Sequence, residues 1–196
     1  MARFGMVIDT RQCIGCQDCV VACNIENNVP PGQRRNWVRT EVKGRFPDLA
    51  MKFFSERCNH CDEPPCVPVC PVGASHVSAL GKTVQIHYDK CIKCGLCVEA
   101  CPYGARFMNE LRDGTADKCT FCAHRLKEGK APACAAVCPT KAIFFGDLDN
   151  PKSKLNELLR ARKHEVLKPD KRSRSASARC PAPFQNSREN LTFAFE

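Results

Sequence analysis

The sequence contains no run of about twenty apolar residues, the length a membrane-spanning helix requires, so no direct membrane span is expected. It opens MARFGMVIDTRQC, which leaves no room for a secretory h-region ahead of Cys13 and predicts no cleavable export peptide. There is no glycine-rich phosphate loop. The five histidines are scattered, and no nucleophile and base stand at an interpretable spacing, so no substrate chemistry is expected from the chain itself. Apolar residues other than Cys and Ala are also sparse for 196 residues, too few for an ordinary oily core.

What the chain does have is cysteine, 17 in all. The stretch CIKCGLCVEACP, residues 91–102, places three cysteines at every third position, a fourth four residues later, and a proline behind it. Close variants recur along the chain. Group one is Cys13, Cys16, Cys19 and Cys23; group two is Cys58, Cys61, Cys66 and Cys70. Group three is Cys91, Cys94, Cys97 and Cys101; group four is Cys119, Cys122, Cys134 and Cys138. Only Cys180 is left over, in a tail segment that predicts an exposed thiol with no ligand role.

Cysteines at i, i+3 and i+6 wrap a tight loop around an iron-sulfur cubane, with backbone N–H groups turned toward its sulfides. The fourth cysteine, set apart and followed by proline, starts a turn away from that loop. In two-cluster ferredoxins such a cysteine ligates the other cluster of the pair. Cys70-Pro71, Cys101-Pro102 and Cys138-Pro139 keep the proline, whereas Cys23 is followed by Asn24. Zinc would be satisfied by two CxxC pairs and has no use for a third cysteine and a trailing Cys-Pro. A disulfide framework gives no reason for repeated triads. Four 4Fe-4S clusters held by sixteen cysteines are therefore expected.

The clusters also change the meaning of the formal charge of +9. A 2+ core on four thiolates carries net 2−, so four of them remove about eight charges and leave the protein nearly neutral. After Pro151, eleven Lys/Arg face five Asp/Glu, which reads as a solvated basic tail ahead of a nucleic-acid surface. Between the groups, GMVID, NWVRTEVKG, MKFFSE and TVQIHYD alternate as short strands, with Leu80-Gly81-Lys82 as a hairpin tip. Short helices are expected after each third cysteine, as in DCVVACNIEN and LCVEACPYG. PKSKLNELLRARK, with Leu155, Leu158 and Leu159 at helical spacing and a proline suited to a first turn, predicts an amphipathic helix packed on the body. No periodicity is visible after Pro169. Trp37, Phe53-Phe54 and Phe144-Phe145 are expected to pack around the clusters and exclude water. His60 and His124 fall inside cluster loops and read as exposed loop histidines.

CNHCDEPPCVPVCPVGA and KCTFCAHRLKEGKAPACAAVCPTKAIFFGDL resemble the iron-sulfur electron-transfer subunits of the dimethyl sulfoxide reductase superfamily, most of all those of polysulfide and thiosulfate reductases. The likeness covers roughly residues 5 to 150; KPDKRSRSASARCPAPFQ departs from it. Spacing alone leaves open a pairing of groups one with two and three with four. The resemblance implies instead an α+β fold of two interleaved bacterial-type ferredoxin-like units with a small core and an irregular C-terminal tail. Groups two and three form an inner unit (58–102), groups one and four an outer one (1–57 and 103–150), and 151–196 is a C-terminal helix and basic tail. It further implies four ligand sets: Cys13, Cys16, Cys19 and Cys138; Cys23, Cys119, Cys122 and Cys134; Cys58, Cys61, Cys66 and Cys101; Cys70, Cys91, Cys94 and Cys97. Nitrate-reductase-type relatives replace the second cysteine of group three and carry a 3Fe-4S centre; Cys94 is present here.

The implied function is an electron relay between a quinol-binding, integral membrane anchor and a molybdopterin catalytic subunit. Its implied place is the outer face of the cytoplasmic membrane, reached by twin-arginine export bound to the partner. The alternative is a polyferredoxin-like donor to a cytoplasmic hydrogenase or formate-oxidising complex.

Overall fold

The computed structural model describes residues 2–161, 165–166 and 177–180. In chain order, β1 (Phe4–Asp9) precedes the group-one loop and α1 (Asp18–Asn27), and then come the long strands β2 (Asn36–Arg45) and β3 (Asp48–Arg57). Next are β4 (Ser75–Val77), β5 (Val84–Ile86), α2 (Leu96–Glu99), β6 (Arg106–Asn109) and β7 (Thr115–Lys118). The body closes with α3 (Ala123–Lys127), α4 (Ala133–Ala136), β8 (Ile143–Asp147) and α5 (Lys154–Ala161), followed by β9 (Glu165–Val166) and β10 (Ser177–Cys180).

The strands expected from GMVID, NWVRTEVKG and MKFFSE are β1, β2 and β3, and DCVVACNIEN is α1. TVQIHYD is extended only over Val84–Ile86 and then tightens into a 3-10 turn at Tyr88–Lys90. Leu80-Gly81-Lys82 is the tip between β4 and β5, where Gly81 has φ of 61° and lies flat against the Phe4 ring. A side chain at Gly81 would meet that ring.

Three expectations differ. No α-helix follows Cys66, whose loop winds through turns, whereas α1, α2 and α4 each take in the third cysteine of their group. The α5 helix begins at Lys154, and Ser153 in place of Pro151 starts it: the Asn156 N–H donates to Ser153 Oγ at 3.2 Å, an N-cap bond. The C-terminal tail is not wholly irregular, because β10 pairs in parallel with β1 from Met6↔Ser177 to Asp9↔Cys180. Ladder bonds use backbone groups and need no apolar alternation, which SARC lacks. The exposure expected of the Cys180 thiol lies outside the described side chains.

The sheets are small. β1 also pairs antiparallel with β8, from Phe4↔Asp147 to Ile8↔Ile143, giving the order β8-β1-β10-β9. β2–β3, β4–β5 and β6–β7 are separate two-stranded hairpins. β1 thus ties the start of the chain to the segment after group four, and α1 packs on α4. The core between them is largely sulfur: Cys19, Cys58, Cys119, Cys134 and Cys138 are buried together with Met6, Ile8, Phe121 and Ile143. On the other face of β1, Val7 and Leu155 form a satellite cluster that Leu158 and Leu159 cover, so α5 docks there.

Candidate metal centres

The four cysteine groups share a backbone device. The second residue after each first cysteine is left-handed: Gly15 (φ 73°), His60 (φ 45°), Lys93 (φ 63°) and Phe121 (φ 53°). Such a residue reverses the loop and makes a nest in which successive N–H groups point to one side. A second repeat follows the Cys-Pro pairs. Gly73, Gly104 and Lys141, three residues after Cys70, Cys101 and Cys138, each donate to that cysteine's carbonyl at 3.2 Å and are themselves left-handed. The proline presets φ at the second position of this turn. The turn then aims a backbone N–H back at the sulfur: Ser75 to Cys70 Sγ (3.5 Å), Ala105 to Cys101 Sγ (3.4 Å) and Ala142 to Cys138 Sγ (3.2 Å).

Cys23, which lacks the proline, lies within α1, and a side chain does the same work there. Asn27 Nδ2 donates to the Cys23 carbonyl at 2.9 Å and stands 3.7 Å from Cys23 Sγ and 3.9 Å from Cys122 Sγ.

The thiols gather in sets. One cavity, enclosing about 350 Å³ including open solvent, is lined by Cys70, Cys91, Cys94 and Cys97; another of about 310 Å³ is lined by Cys23, Cys119, Cys122 and Cys134. Cys13 lies within electrostatic reach of Cys19, Cys138 and Cys16, and Cys66 within reach of Cys58 and Cys101; Cys61 is buried in the loop it shares with Cys58. The sixteen thiols are all free of disulfides; Cys16 and Cys94 are exposed, and most of the others are buried. Among the described residues no three His, Cys, Asp or Glu side chains converge as a single metal ion requires. A cubane does not require such convergence, because its thiolates stand apart on its corners.

Burial pushes the Cys119 thiol up to about 12, and burial followed by repulsion from Cys119, Cys134 and Cys122 pushes Cys23 up as well. A metal centre bound here would have to take the place of those protons. At Cys70 burial is outweighed by the N–H groups of Ser75, Val72, Ala74 and Gly73, and its pKa lies below the ordinary thiol value.

The sequence did not single out the buried polar residues around these sets. Arg57 and Arg106 are each 4% exposed and Lys118 is fully enclosed. Arg57 Nε and Arg106 Nη1 have no hydrogen-bond acceptor among the described residues. Buried donors facing thiol sets fit a group that brings acceptor sulfides, as an iron-sulfur cluster does. The only sequence signal was position: Arg57 and Lys118 immediately precede the first cysteines of groups two and four.

His60 departs from expectation. It is buried, stacked on Phe121 at 3.8 Å, and its Nδ1 accepts the Val84 N–H at 3.1 Å. Burial, then Lys118 and Arg106, hold its pKa well below the ordinary imidazole value. His124 is exposed as expected, 2.7 Å from Glu26. Trp37 and Phe145 pack against the sulfur core and Phe53 covers Gly15. Phe54 instead lies under the Arg39 guanidinium at 4.4 Å, and Phe144 faces Val7 and Leu155, away from the thiols.

Repeated triads, trailing Cys-Pro turns and four thiol sets define a protein of the 4Fe-4S ferredoxin-like class. A 4Fe-4S dicluster domain matches residues 49–148, and a second 4Fe-4S dicluster domain matches residues 12–74. The chain is 48% identical over 160 residues to protein NrfC of Escherichia coli K12, covering 81% of this chain and 71% of that one. It is 44% identical to a tetrathionate reductase subunit of Salmonella typhimurium (86% and 68% covered). With the arsenate respiratory reductase iron-sulfur subunit ArrB of Shewanella sp. ANA-3 it shares 36% identity (86% and 92% covered). The chain belongs to the iron-sulfur electron-transfer subunits of the dimethyl sulfoxide reductase superfamily.

Proposed function

We propose that the sixteen cysteines hold four 4Fe-4S clusters in the ligand sets given above, within two interleaved ferredoxin-like units bounded at 1–57 with 103–150 and at 58–102. Residues 151–196 form the appended helix and tail. The observation that carries this reading is the gathering of thiols into complete sets: the two cavities each contain one full set, drawn from two different cysteine groups. The β1–β8 ladder, which joins residues on either side of groups two and three, supports an outer unit closing over an inner one.

Bound there, each cluster supplies one-electron redox chemistry. The chain's own work is to hold the centres close, exclude water and set their electrostatics. The two exposed cysteines among the described side chains lie in different sets, Cys16 in the one that includes Cys138 and Cys94 in the one that includes Cys70, so each terminal set has an edge at the surface. Such a chain relays electrons between a quinol-oxidising membrane anchor and a molybdopterin catalytic subunit in a respiratory reductase complex. On this reading it is the peripheral component of that complex; no helix among the described residues is long and apolar enough to cross a membrane. Because clusters are inserted before export, the folded chain crosses bound to a catalytic partner that carries a twin-arginine signal.

Anaerobically prepared protein is expected to hold about sixteen irons and sixteen acid-labile sulfides per chain. It should co-purify with a pterin-containing subunit and appear in the outward-facing membrane fraction. Zinc in place of iron, or iron for two clusters only, overturns the ligand sets. Retention in the cytoplasm with a functional hydrogenase or formate-oxidising partner overturns the placement.

A further inference from the structure

Three buried cations stand where one thiol set meets the next. Arg57 donates to Ser55 Oγ, and that hydroxyl lies 3.4 Å from Cys19 Sγ; the same guanidinium is 4.0 Å from Cys134 Sγ. It therefore bridges the set of Cys13, Cys16, Cys19 and Cys138 to that of Cys23, Cys119, Cys122 and Cys134. Arg106 Nη2 donates to Cys66 Sγ at 2.9 Å and to Ser75 Oγ at 2.7 Å, while the Ser75 N–H donates to Cys70 Sγ at 3.5 Å. It bridges the set of Cys58, Cys61, Cys66 and Cys101 to that of Cys70, Cys91, Cys94 and Cys97. Lys118 Nζ donates to the Cys119 carbonyl at 2.6 Å and to that of Val84, and it lies within electrostatic reach of Cys58 and Cys66. It occupies the remaining junction. Among the described residues none of the three makes an ion pair with a carboxylate; the buried carboxylate of Asp117 is taken by Arg35 at 2.6 Å and by Asn109 at 2.7 Å.

We propose that Arg57, Lys118 and Arg106 are potential-setting residues, one at each junction of the relay, whose positive charge offsets the repulsion between neighbouring anionic centres and raises their reduction potentials. The inference rests on the ligand sets proposed above. Each thiolate-ligated centre carries net 2− and gains another negative charge on reduction. In a low-dielectric interior a like charge nearby opposes that gain strongly, and an interposed cation counters it. A guanidinium is charged at any working pH, so Arg57 and Arg106 supply this without titrating. The layout is repeated: a serine and an arginine join the two sets within each half, and a lysine joins the halves.

Redox titration of the anaerobic holoprotein, followed by paramagnetic resonance, tests the proposal. Lys118→Met and Arg106→Gln should each retain about sixteen irons. Each should lower the midpoints of the centres flanking its junction by a tenfold or larger change in the reduction equilibrium, about 59 mV for one electron. The charge-keeping variants Lys118→Arg and Arg106→Lys should stay near wild type. Full iron with unmoved midpoints in the neutral variants overturns the proposal. If the neutral variants lose iron and the charge-keeping ones retain it, the charge is needed even to assemble neighbouring centres, which supports it. If all four lose iron alike, the side chains act through shape, and the proposal fails. A wild-type chain short of sixteen irons would overturn the ligand sets instead, so the two failures are distinguishable.

Discussion

Each thiol loop has a left-handed residue two positions after its first cysteine, and at His60, Lys93 and Phe121 that residue is not glycine. A side chain in this conformation costs roughly 1–2 kcal/mol, so the surrounding contacts hold it there. His60 and Phe121 secure each other by stacking, one from group two and one from group four, which locks two loops with one contact. The most consequential single residue is Cys94, because it is exposed and its presence is what, by the resemblance, separates this chain from the 3Fe-4S pattern of nitrate-reductase-type relatives. Cys94→Ser should remove one iron of about sixteen and give a 3Fe-type resonance in the oxidised protein, with a raised midpoint for that centre. An unchanged spectrum at full iron content would take Cys94 out of the ligand set. Cys180→Ser, by contrast, should leave iron content and spectra as in the wild type. Cysteine identities and the Cys-Pro turns were legible because ligand chemistry fixes their spacing. Arg57, Arg106 and Lys118 were not, since a lysine or arginine in sequence reads as a solvated charge until the partners that bury it are known.

At the scale of elements, α5 shows what the sequence pattern carries and where it stops. Leucine spacing placed the helix and the face it buries, and Leu155 is 1% exposed against Val7. The cap came from Ser153, a residue that no periodicity marks. Leu155→Ala should cost about 2–5 kcal/mol and Ser153→Ala about 1 kcal/mol in denaturant unfolding, both with iron content intact. Loss of iron in either would mean that α5 supports the metal sites directly instead of covering the far face of β1. The strands that were legible, β1 to β3, alternate or are long. β6 and β7 were missed because RFMN and TADK carry no hydrophobic alternation: Thr115, Ala116, Asp117 and Lys118 are all buried, and the Asp117 and Lys118 side chains turn to internal partners. A strand of that kind has no hydrophobic period to read. Its reason lies in the metal sites, since Arg106 and Lys118 face each other across the open end of this hairpin.

For the whole molecule the metal centres rearrange the charge. Residues 1–150 carry nineteen Lys/Arg against sixteen Asp/Glu, and the tail after 150 carries eleven against five. Four dianionic centres would turn the body's +3 into about −5 and leave the tail at +6, so a chain that is basic by sequence becomes an acidic body with a basic extension. The net charge falls from +9 to about +1. Anaerobic isoelectric focusing should therefore place the brown holoprotein clearly below the value of about 8.8 that the sequence gives, and destruction of the clusters should move the protein back up. The comparison does not depend on turnover or on any partner. Focusing at or above that value with the full complement of iron would mean that the thiolates do not carry the charge assigned to them, and the electrostatic account of the junction cations would fall with it.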